Sequence, residues 1–407
     1  MQSIFERPIA PKTPTMLMNT ATRKALAKSI LFLTLFAGLT LNVTAQHDHD
    51  DHDHENTSHS EEDHGGESTF DAGEMIMHHI ADAHEIHIIG DFAIYLPIIL
   101  YTENGLDLFS SSHFYHNEHH GSYTDSSGTE VNYHYYTYED YVMYHEHIYY
   151  SNGSDPLTID SETGEATNAA VFDISITKTV FGVLFTCLLL LLIFGSIARS
   201  YKRRVGQAPK GLQSFIEPLI LFIRDEVAIP SIGSAAKAEK FMPFLLTTFF
   251  FIWIANMLGL IPFIGGFNIT GTLSVTLVLA ALVFIIITIN GNKHYWSHIL
   301  WPAGVPLPIK FILVPIEIAS IFIKPLVLMV RLTANITAGH IIILAFVSLV
   351  LIFGEQSATA GYGVGVGSVL FMIFMFFIEL LVAFLQAYVF TLLAALYFGE
   401  ATQEGHH

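Results

Sequence analysis

The residues that could carry chemistry in this chain are eight polar side chains embedded in two long apolar stretches near its end. They are Glu317, Ser320, Lys324, Arg331, Asn335, His340, Glu379 and Gln386. An arginine at the centre of a membrane helix costs about 2.5–3.5 kcal/mol on insertion scales, and its guanidinium stays charged at physiological pH. Histidine and glutamate can pass protons on, whereas arginine cannot. A permanent cation among titratable groups inside a membrane predicts an ion or proton pathway.

The spacing of these residues places them on common helix faces. Glu317, Lys324 and Arg331 recur every seven residues, so a helix turns them by only about 20° per step. Glu379 and Gln386 are likewise seven residues apart. Two interpretations are open at this point. The residues pair with one another between or along helices, for example Lys324 with Glu317, or they line a route for ions.

The elements that must position these side chains are membrane helices. The chain has 407 residues, of which 52% are hydrophobic and only 14% are charged, and its mean hydropathy is +0.48. The apolar residues collect in runs of about 20 residues or more, the length that crosses a bilayer as helix. The sequence therefore predicts an all-α polytopic membrane protein with about five spans. These spans are residues 174–198, 243–262, 270–290, 311–353 and 368–398.

The last two predicted spans are longer than one perpendicular crossing of a bilayer requires. This length indicates a tilted helical hairpin that packs against another membrane component. The segment “GEQSATAGYGVGVG” at 354–367 predicts the turn of that hairpin, and 291–310 predicts a loop. Residues 212–230 mix apolar and charged side chains, as in a helix that lies on the cytoplasmic interface.

Charge is unevenly distributed along the chain, whose formal net charge is −19. No Lys or Arg occurs between Ser29 and Thr177, and most acidic residues lie between Asp48 and Asp173. This acidity excludes nucleic acid as a partner of that segment. Basic residues gather at 198–210, and Lys/Arg-rich loops stay in the cytoplasm. The acidic segment is therefore expected on the exported side of the membrane, and the C-terminus in the cytoplasm.

Three domains are predicted along the chain. Residues 1–45 resemble a signal peptide, with a basic start, an apolar run and a small-residue cleavage site; an uncleaved transmembrane helix is the alternative. Residues 46–172 form an exported module rich in His, Asp and Glu, and its alternating aromatic residues indicate a small β-rich fold. Residues 173–407 form the membrane domain.

The histidines of the exported module raise the question of a metal site. His47, His49, His52 and His54 alternate with carboxylates, and such donors suit Zn²⁺ or Cu²⁺. A low-complexity run imposes no coordination geometry, so a solvated acidic surface and a metal-binding or proton-buffering role are both open. No cofactor is predicted. Cys187 is the only cysteine, so no disulfide within the chain is possible, and it is expected to be an apolar filler.

Two segments of the hairpin, “KPLVLMVRLTANITAGH” and “IELLVAFLQAYVF”, resemble subunit a of the F-type ATP synthase, the stator channel beside the rotating c-ring. The similarity extends through “FFFIWIANMLGLIP” and “GTLSVTLVLAAL” and covers roughly 210–400. It implies a proton-translocating subunit that couples proton flow to ring rotation and ATP synthesis, and that is not an enzyme on its own. The implied partners are the c-subunit ring, b-type peripheral stalk subunits, the remaining synthase subunits and membrane lipid.

The resemblance also implies roles for individual residues. Arg331 would face the c-ring carboxylate between two offset half-channels. The half-channel to the exported side would be lined by Asn335, His340, Glu379 and Gln386. The half-channel to the cytoplasm would contain Glu317 and Ser320. Lys324 and Asn256 would support these residues.

One departure separates this chain from many bacterial members of the family. His340 and Glu379 exchange types here, as in mitochondrial members, which preserves one acid and one imidazole if the two side chains meet across the hairpin. A proton relay would survive such an exchange.

A competing hypothesis is a divalent-metal transporter with a His-rich exported loop. Such a transporter needs His and carboxylate ligands together within the membrane, and Arg331 would repel a dication. A purely structural scaffold gives no reason for Arg331. The sequence contains no nucleotide-binding loop, so ATP chemistry would belong to partner subunits.

Overall fold

The computed structural model describes residue 73 and residues 81–403, except 90–91, 104, 127, 129, 154, 205–206, 262–265 and 303. The predicted signal peptide, His47, His49, His52 and His54 lie outside these described residues. The described part of the chain consists of a β-rich module, which ends at β9, and a helical domain that follows it.

The described part of the module contains nine short strands and one helical turn. The strands are β1 Glu85–Ile89, β2 Phe92–Tyr95, β3 Pro97–Thr102, β4 Gly105–Ser110, β5 Glu118–Thr124, β6 Glu130–Tyr138, β7 Tyr141–Tyr144, β8 His147–Tyr150 and β9 Phe172–Asp173, and the turn is α1 Ser112–Tyr115. They form a two-stranded sheet β1-β2, a three-stranded sheet β4-β3-β9 and a four-stranded sheet β5-β6-β7-β8. All neighbouring strands are antiparallel. The predicted small β-rich fold is confirmed.

Alternating apolar residues build the core of the module. Ile98 and Leu100 of β3 are fully buried, and they belong to one cluster with Phe114, Met143 and Ile148. Because successive side chains of a strand point to opposite faces, residues two positions apart share the buried face. This core gives the module a defined shape on which charged groups can be positioned.

The described helical domain contains eight α-helices and one π-helical turn. They are α2 Lys178–Arg203, α3 Leu212–Phe222, the π-helix Ile223–Ala228, α4 Ile229–Ile232, α5 Ala235–Gly259, α6 Leu273–Asn290, α7 Lys293–Leu300, α8 Leu307–Gln356 and α9 Ala358–Thr402. Five of them, α2, α5, α6, α8 and α9, are long and apolar enough to cross a membrane. The predicted all-α polytopic membrane domain with about five spans is confirmed.

Helices α8 and α9 are longer than the sequence predicts. They contain 50 and 45 residues, and a rise of about 1.5 Å per residue makes them about 75 Å and 68 Å long. The predicted turn at 354–367 is wrong, because Ser357 alone separates the two helices. The glycines of this segment remain helical, since a membrane environment favours the structure that satisfies every backbone polar group.

Two other segments also differ from their predictions. The predicted loop 291–310 contains the helix α7. The predicted interfacial helix continues through the π-helical turn into α4, and Ile223 in it is fully buried. A Cβ on Gly399 of α9 would lie only 2.1 Å from the Ser231 carbonyl oxygen. The end of this helix therefore packs closely against α9 instead of lying wholly on an interface.

The spans differ in how much of their surface this chain covers. Helix α5 is central, with Leu245, Phe249 and Phe250 fully buried. Helices α8 and α9 expose large apolar side chains along much of their length, such as Phe322 and Leu381. Large exposed apolar surfaces are typical of membrane or subunit contacts. Lipid or another membrane subunit must cover this surface of the hairpin.

The module packs directly onto the first span. Ile86 and Leu96 belong to the same hydrophobic cluster as Val183 of α2. The backbone N–H of Lys178 donates a hydrogen bond to the Ala83 carbonyl oxygen at 2.9 Å. The start of α2, the end of α5, the start of α6 and the junction of α8 with α9 therefore share one end of the domain, which we call the module side.

Candidate functional site

Arg331 lies midway along α8 on the uncovered surface of the hairpin. Its side chain is exposed, and within the described part of the chain no carboxylate or other hydrogen-bond partner reaches its guanidinium. A shallow depression surrounds it, lined by Arg331, Ala334, Asn335, Leu385, Gln386 and Val389. The structure thus brings Arg331 and Asn335 of α8 together with Gln386 of α9. It leaves the positive charge of Arg331 exposed on the surface of the described chain.

Hydrogen bonds between helices hold the backbone around Arg331. Gln386 Nε2 donates to the Arg331 carbonyl oxygen at 3.1 Å. The hydroxyls of Thr276 and Thr333 lie 2.6 Å apart and join α6 to α8. Such interhelical bonds contribute about 0.6 kcal/mol on average in a membrane protein. Gln386 therefore positions Arg331 through its backbone and does not engage the guanidinium.

His340 and Glu379 lie on the module side of Arg331, each packed against a glycine. A Cβ on Gly339 would lie 2.3 Å from Glu379 Oε1, and a Cβ on Gly259 would lie 3.6 Å from His340 Nε2. Among the described residues, Glu379 Oε2 is buried without a hydrogen-bond partner. No direct hydrogen bond joins Glu379 to His340 within this described region, so a proton that moves between them needs an intervening water.

Lys324 forms an ion pair at the end of the hairpin opposite the module. Its ammonium contacts the Glu400 carboxylate of α9 and lies 5.3 Å from the centre of the Tyr397 ring. The suggested pairing of Lys324 with Glu317 is wrong. Seven residues of continuous helix separate two side chains by about 10 Å along the axis, whereas α9 brings Glu400 into direct contact.

Glu317 and Ser320 lie near this same end of the hairpin. Ser320 Oγ donates to the Glu317 carbonyl oxygen at 2.8 Å, within its own helix. Burial raises the pKa of Tyr295 in α7, and the charges of Glu400 and Glu317 raise it further. Glu317 therefore belongs to a polar cluster formed by α7, α8 and the end of α9.

Asn256 links α5 to two other elements of the bundle. Its Nδ2 donates to the Ala383 carbonyl oxygen of α9 at 3.2 Å. Its Oδ1 accepts a hydrogen bond from the hydroxyl of Thr270, just before α6. Because Asn256 is buried, both bonds form where water cannot replace them easily. The side chain connects the module-side end of the bundle to α9.

Several polar residues of the module side are absent from the predicted site. They are Asn268, Thr270, Thr272, Ser274, Thr276, Thr333 and Thr337. The hydroxyl of Thr337, one turn before His340, donates to the Gly271 carbonyl oxygen at 3.4 Å. A signal for them exists in the sequence, because polar residues occupy every second position from 268 to 276 where a membrane span begins. Glu400, the partner of Lys324, is also absent from the prediction, since it follows the last apolar run.

A second cluster of charged groups lies in the module. His84 is buried, with Nδ1 3.4 Å from Glu146 Oε2 and Nε2 3.3 Å from Asp173 Oδ2. The Tyr115 hydroxyl donates to Glu146 at 2.9 Å. Burial by itself lowers the pKa of His84, but hydrogen bonds and charge interactions with Asp173 and Glu146 outweigh it and raise the pKa to about 10. Burial by itself would raise the pKa of Glu146 and of Asp173. The contacts outweigh it and lower both pKa values.

Metal binding by the module stays a prediction. Among the described residues, no group of three His, Cys, Asp or Glu side chains is arranged to hold a metal ion. His47, His49, His52 and His54 lie outside that part of the chain, and the structure does not test them.

Comparison with known protein families divides the chain at the junction between module and helices. The family described as ATP synthase A chain matches residues 180–399. The family described as Domain of unknown function (DUF8433) matches residues 75–174. The first match covers the hairpin with Arg331, and the second covers the β-rich module.

Individual relatives agree with the first match. ATP synthase subunit a 2 of Chlorobaculum tepidum is 46% identical over 242 residues, which are 57% of this chain and 65% of the relative. ATP synthase subunit a of Chlorobium phaeobacteroides (strain BS1) is 42% identical over 244 residues, 58% of this chain and 68% of the relative. ATP synthase subunit a of Anaeromyxobacter sp. (strain Fw109-5) is 30% identical over 349 residues, 82% of this chain and 71% of the relative.

The chain thus spans slightly under two thirds of the Chlorobaculum tepidum protein and more than two thirds of the other two. None of these names supports the competing hypothesis of a divalent-metal transporter. Because the family match covers more than half of the 407 residues, the chain belongs to the ATP synthase A chain family, that of subunit a of the F-type ATP synthases.

Proposed function

We propose that this chain is the proton-translocating stator subunit of an F-type ATP synthase, with Arg331 between two offset half-channels beside a ring of c-subunits. The observation that carries the proposal is the position of Arg331, an exposed cation midway along a membrane helix. Such a cation is costly in lipid unless an anion compensates it. Since no carboxylate of the described chain contacts it, we place the compensating anion on another subunit.

The chemistry of this contact follows from the cost of charge in a membrane. A carboxylate on the ring must be protonated while it faces lipid, because an isolated charge there is expensive. It can ionise beside Arg331, which supplies a compensating charge and keeps its own proton. A membrane potential is worth about 2.3 kcal/mol per charge per 100 mV and biases the direction of rotation. ATP chemistry takes place in other subunits of the complex.

The two half-channels open on opposite sides of Arg331. Asn335, His340, Glu379 and Gln386 form the route to the exported side, and the buried Glu379 Oε2 without a protein partner favours water at that point. Glu317 and Ser320 form the route to the cytoplasm. The ion pair of Lys324 with Glu400 holds α8 to α9 at that end. Because the two half-channels are offset from each other, each proton travels with the ring instead of passing straight through the membrane.

The orientation follows from charge. Lys202, Arg203 and Arg204 lie at the end of α2, opposite the module, and loops with such residues stay in the cytoplasm. The module is therefore periplasmic and the C-terminus cytoplasmic in a bacterial inner membrane. The uncovered apolar surface of α8 and α9 is the face for the c-ring, and b-type stalk subunits hold the chain in place.

A disulfide cross-link tests the proposed contact with the ring. Leu385 lines the depression around Arg331 and is 48% exposed, and Leu192 on α2 is also exposed, at 62%. In a Cys187→Ala background, Leu385→Cys is expected to form a disulfide with a cysteine placed beside the carboxylate of the c-subunit and to stop ATP-driven rotation. Leu192→Cys, the matched control, is expected to form none. Equal cross-linking of both positions, or of neither, contradicts the proposal.

The packing of Glu379 against Gly339 makes a separate prediction. A Cβ at Gly339 would lie 2.3 Å from Glu379 Oε1, so Gly339→Ala displaces the Glu379 carboxylate. Because the Glu379 side chain is flexible, it can move without disturbing the fold. The substitution also favours the helix by about 1 kcal/mol. We expect normal assembly with ATP-driven proton pumping reduced at least fivefold, as measured by acidification of membrane vesicles. Gly367→Ala, where a Cβ meets no atom within 4 Å, is expected to pump normally.

A further inference from the structure

The start of α2 is the point at which the module and the membrane domain exchange charged contacts. Asp82 of the module accepts a hydrogen bond from the backbone N–H of Thr179 at 2.8 Å. Lys178 interacts electrostatically with Asp82, Glu146 and Glu85 of the module. Nothing in the roles described above uses these groups, although they lie at the module-side end of the bundle.

A series of hydroxyl contacts leads from this junction into the membrane domain. The hydroxyls of Thr179 and Thr272 lie 3.2 Å apart and connect α2 to the N-cap of α6. One turn further along α6, the Thr276 hydroxyl lies 2.6 Å from that of Thr333 on α8. Thr333 is two residues from Arg331. We call the residues Thr179, Thr272, Thr276 and Thr333 the threonine track.

Buried polar atoms without protein partners occur at the same end of the membrane domain as this track. In the described membrane domain they include Asn268 Oδ1 and Ser274 Oγ, together with Glu379 Oε2. Buried polar atoms are normally hydrogen-bonded, and ordered water satisfies those that protein groups do not. Because all three lie on the module side, they favour a hydrated path between the threonine track and the His340–Glu379 pair.

We propose that the module forms the outer end of the exported-side half-channel, with Asp82 as its proton-entry site and the threonine track as the wall of the hydrated path below it. The proposal rests on the proposed function of the chain. Asp82 takes a proton from hydronium in the periplasm and releases the same proton to water in the path, so that charge and atoms balance. Asp82 as a residue is partly exposed, as exchange with bulk solvent requires.

The groups around Asp82 suit this role. Burial raises the pKa of Asp82 above its ordinary value, while hydrogen bonds from Thr179 and Thr177 and the charge of His84 hold it down. Lys178 at the start of α2 interacts electrostatically with Asp82, and also with Glu85 and Glu146. A carboxyl with a raised pKa is protonated for a larger fraction of time at the acidic exported face. It therefore serves as an acceptor and donor of protons, as general acid and base groups do.

The test uses the complete ATP synthase in vesicles and varies the pH on the module side. Asp82→Asn is expected to lower the rate of ATP synthesis at least fivefold at pH 7–8, where proton supply limits the rate, and much less at acidic pH. The matched control is Asp107→Asn. Asp107 is another carboxylate of the module, and it accepts a hydrogen bond from the Tyr141 hydroxyl. This control is expected to keep the normal pH profile. A wild-type profile for Asp82→Asn overturns the inference.

A second measurement does not depend on removing Asp82. In a Cys187→Ala background, Thr179→Cys is expected to make synthesis sensitive to Ag⁺ added on the module side. Thr391→Cys, buried near the opposite end of α9, is expected to be insensitive to Ag⁺ from that side. An unreactive Thr179→Cys overturns the inference. Arg331→Ala distinguishes failure of this inference from failure of the proposed function. If Arg331→Ala abolishes coupling while Asp82→Asn behaves as wild type, Asp82 is not the proton-entry site and the proposed function stands.

Discussion

ATP-driven proton pumping is expected to disappear in an ATP synthase that carries Arg331→Ala. Arg331 is the exposed cation at the middle of α8, and without it a ring carboxylate beside α8 has no compensating charge and stays protonated. Protons can then pass between the two half-channels without turning the ring. We therefore expect pumping to fall below a few per cent of the normal rate and passive proton leak to rise. Acidification and leak are measured separately on membrane vesicles.

The design of this experiment must separate charge from assembly. Gln386 bonds only the backbone carbonyl oxygen of Arg331, so the alanine variant keeps the interhelical hydrogen bond and is expected to assemble. The matched control is Arg199→Ala, which removes an exposed arginine near the end of α2 that lies away from the module. This variant is expected to show normal pumping and leak. Normal pumping by an assembled Arg331→Ala complex would disprove the proposed mechanism and make Arg331 a structural charge.

Loss of His84 is expected to destabilise the module strongly. His84→Ala removes the buried cation that lies 3.3–3.4 Å from the partly buried carboxylates of Glu146 and Asp173. Removing one partner of a buried ion pair costs about 3–5 kcal/mol. The measurement is hydrogen exchange of the β1, β3 and β9 amides in the full-length protein, where faster exchange reports a lower free energy of opening. His119→Ala, which removes an exposed histidine, is expected to change that free energy by less than about 0.5 kcal/mol.

The same cluster predicts the pH dependence of the module. The pKa of His84 is about 10 in the folded chain against an ordinary value of 6.5. Its stabilisation is therefore complete below pH 6.5 and is lost as the pH rises from 6.5 through 10. The pKa values of Glu146 and Asp173 are lowered, so their contribution is lost as the pH falls below about 4. Protection of the β1 amides that does not fall between pH 6.5 and 10 would contradict this assignment.

Much of the membrane domain could be predicted from the sequence, because its cues are local. A run of about 20 apolar residues has no better structure in lipid than a helix, so the five spans follow from hydropathy alone. Arg331 could be identified because its cost in a membrane does not depend on what surrounds it. The strands around Ile98 and Leu100 follow in the same way from alternating side chains.

The contacts of the site could not be predicted, because they join residues that local patterns do not relate. Lys324 pairs with Glu400 rather than Glu317, since the packing of α9 on α8 sets the distance. His84 meets Glu146 and Asp173 only when three sheets assemble.

By itself, the sequence determined the membrane helices, the family and the presence of a cation in the middle of a span, since chain length, hydropathy and residue type control them. Only the tertiary structure decided which groups meet at the junction of module and membrane domain. Those contacts depend on the packing of distant elements, which no local periodicity encodes.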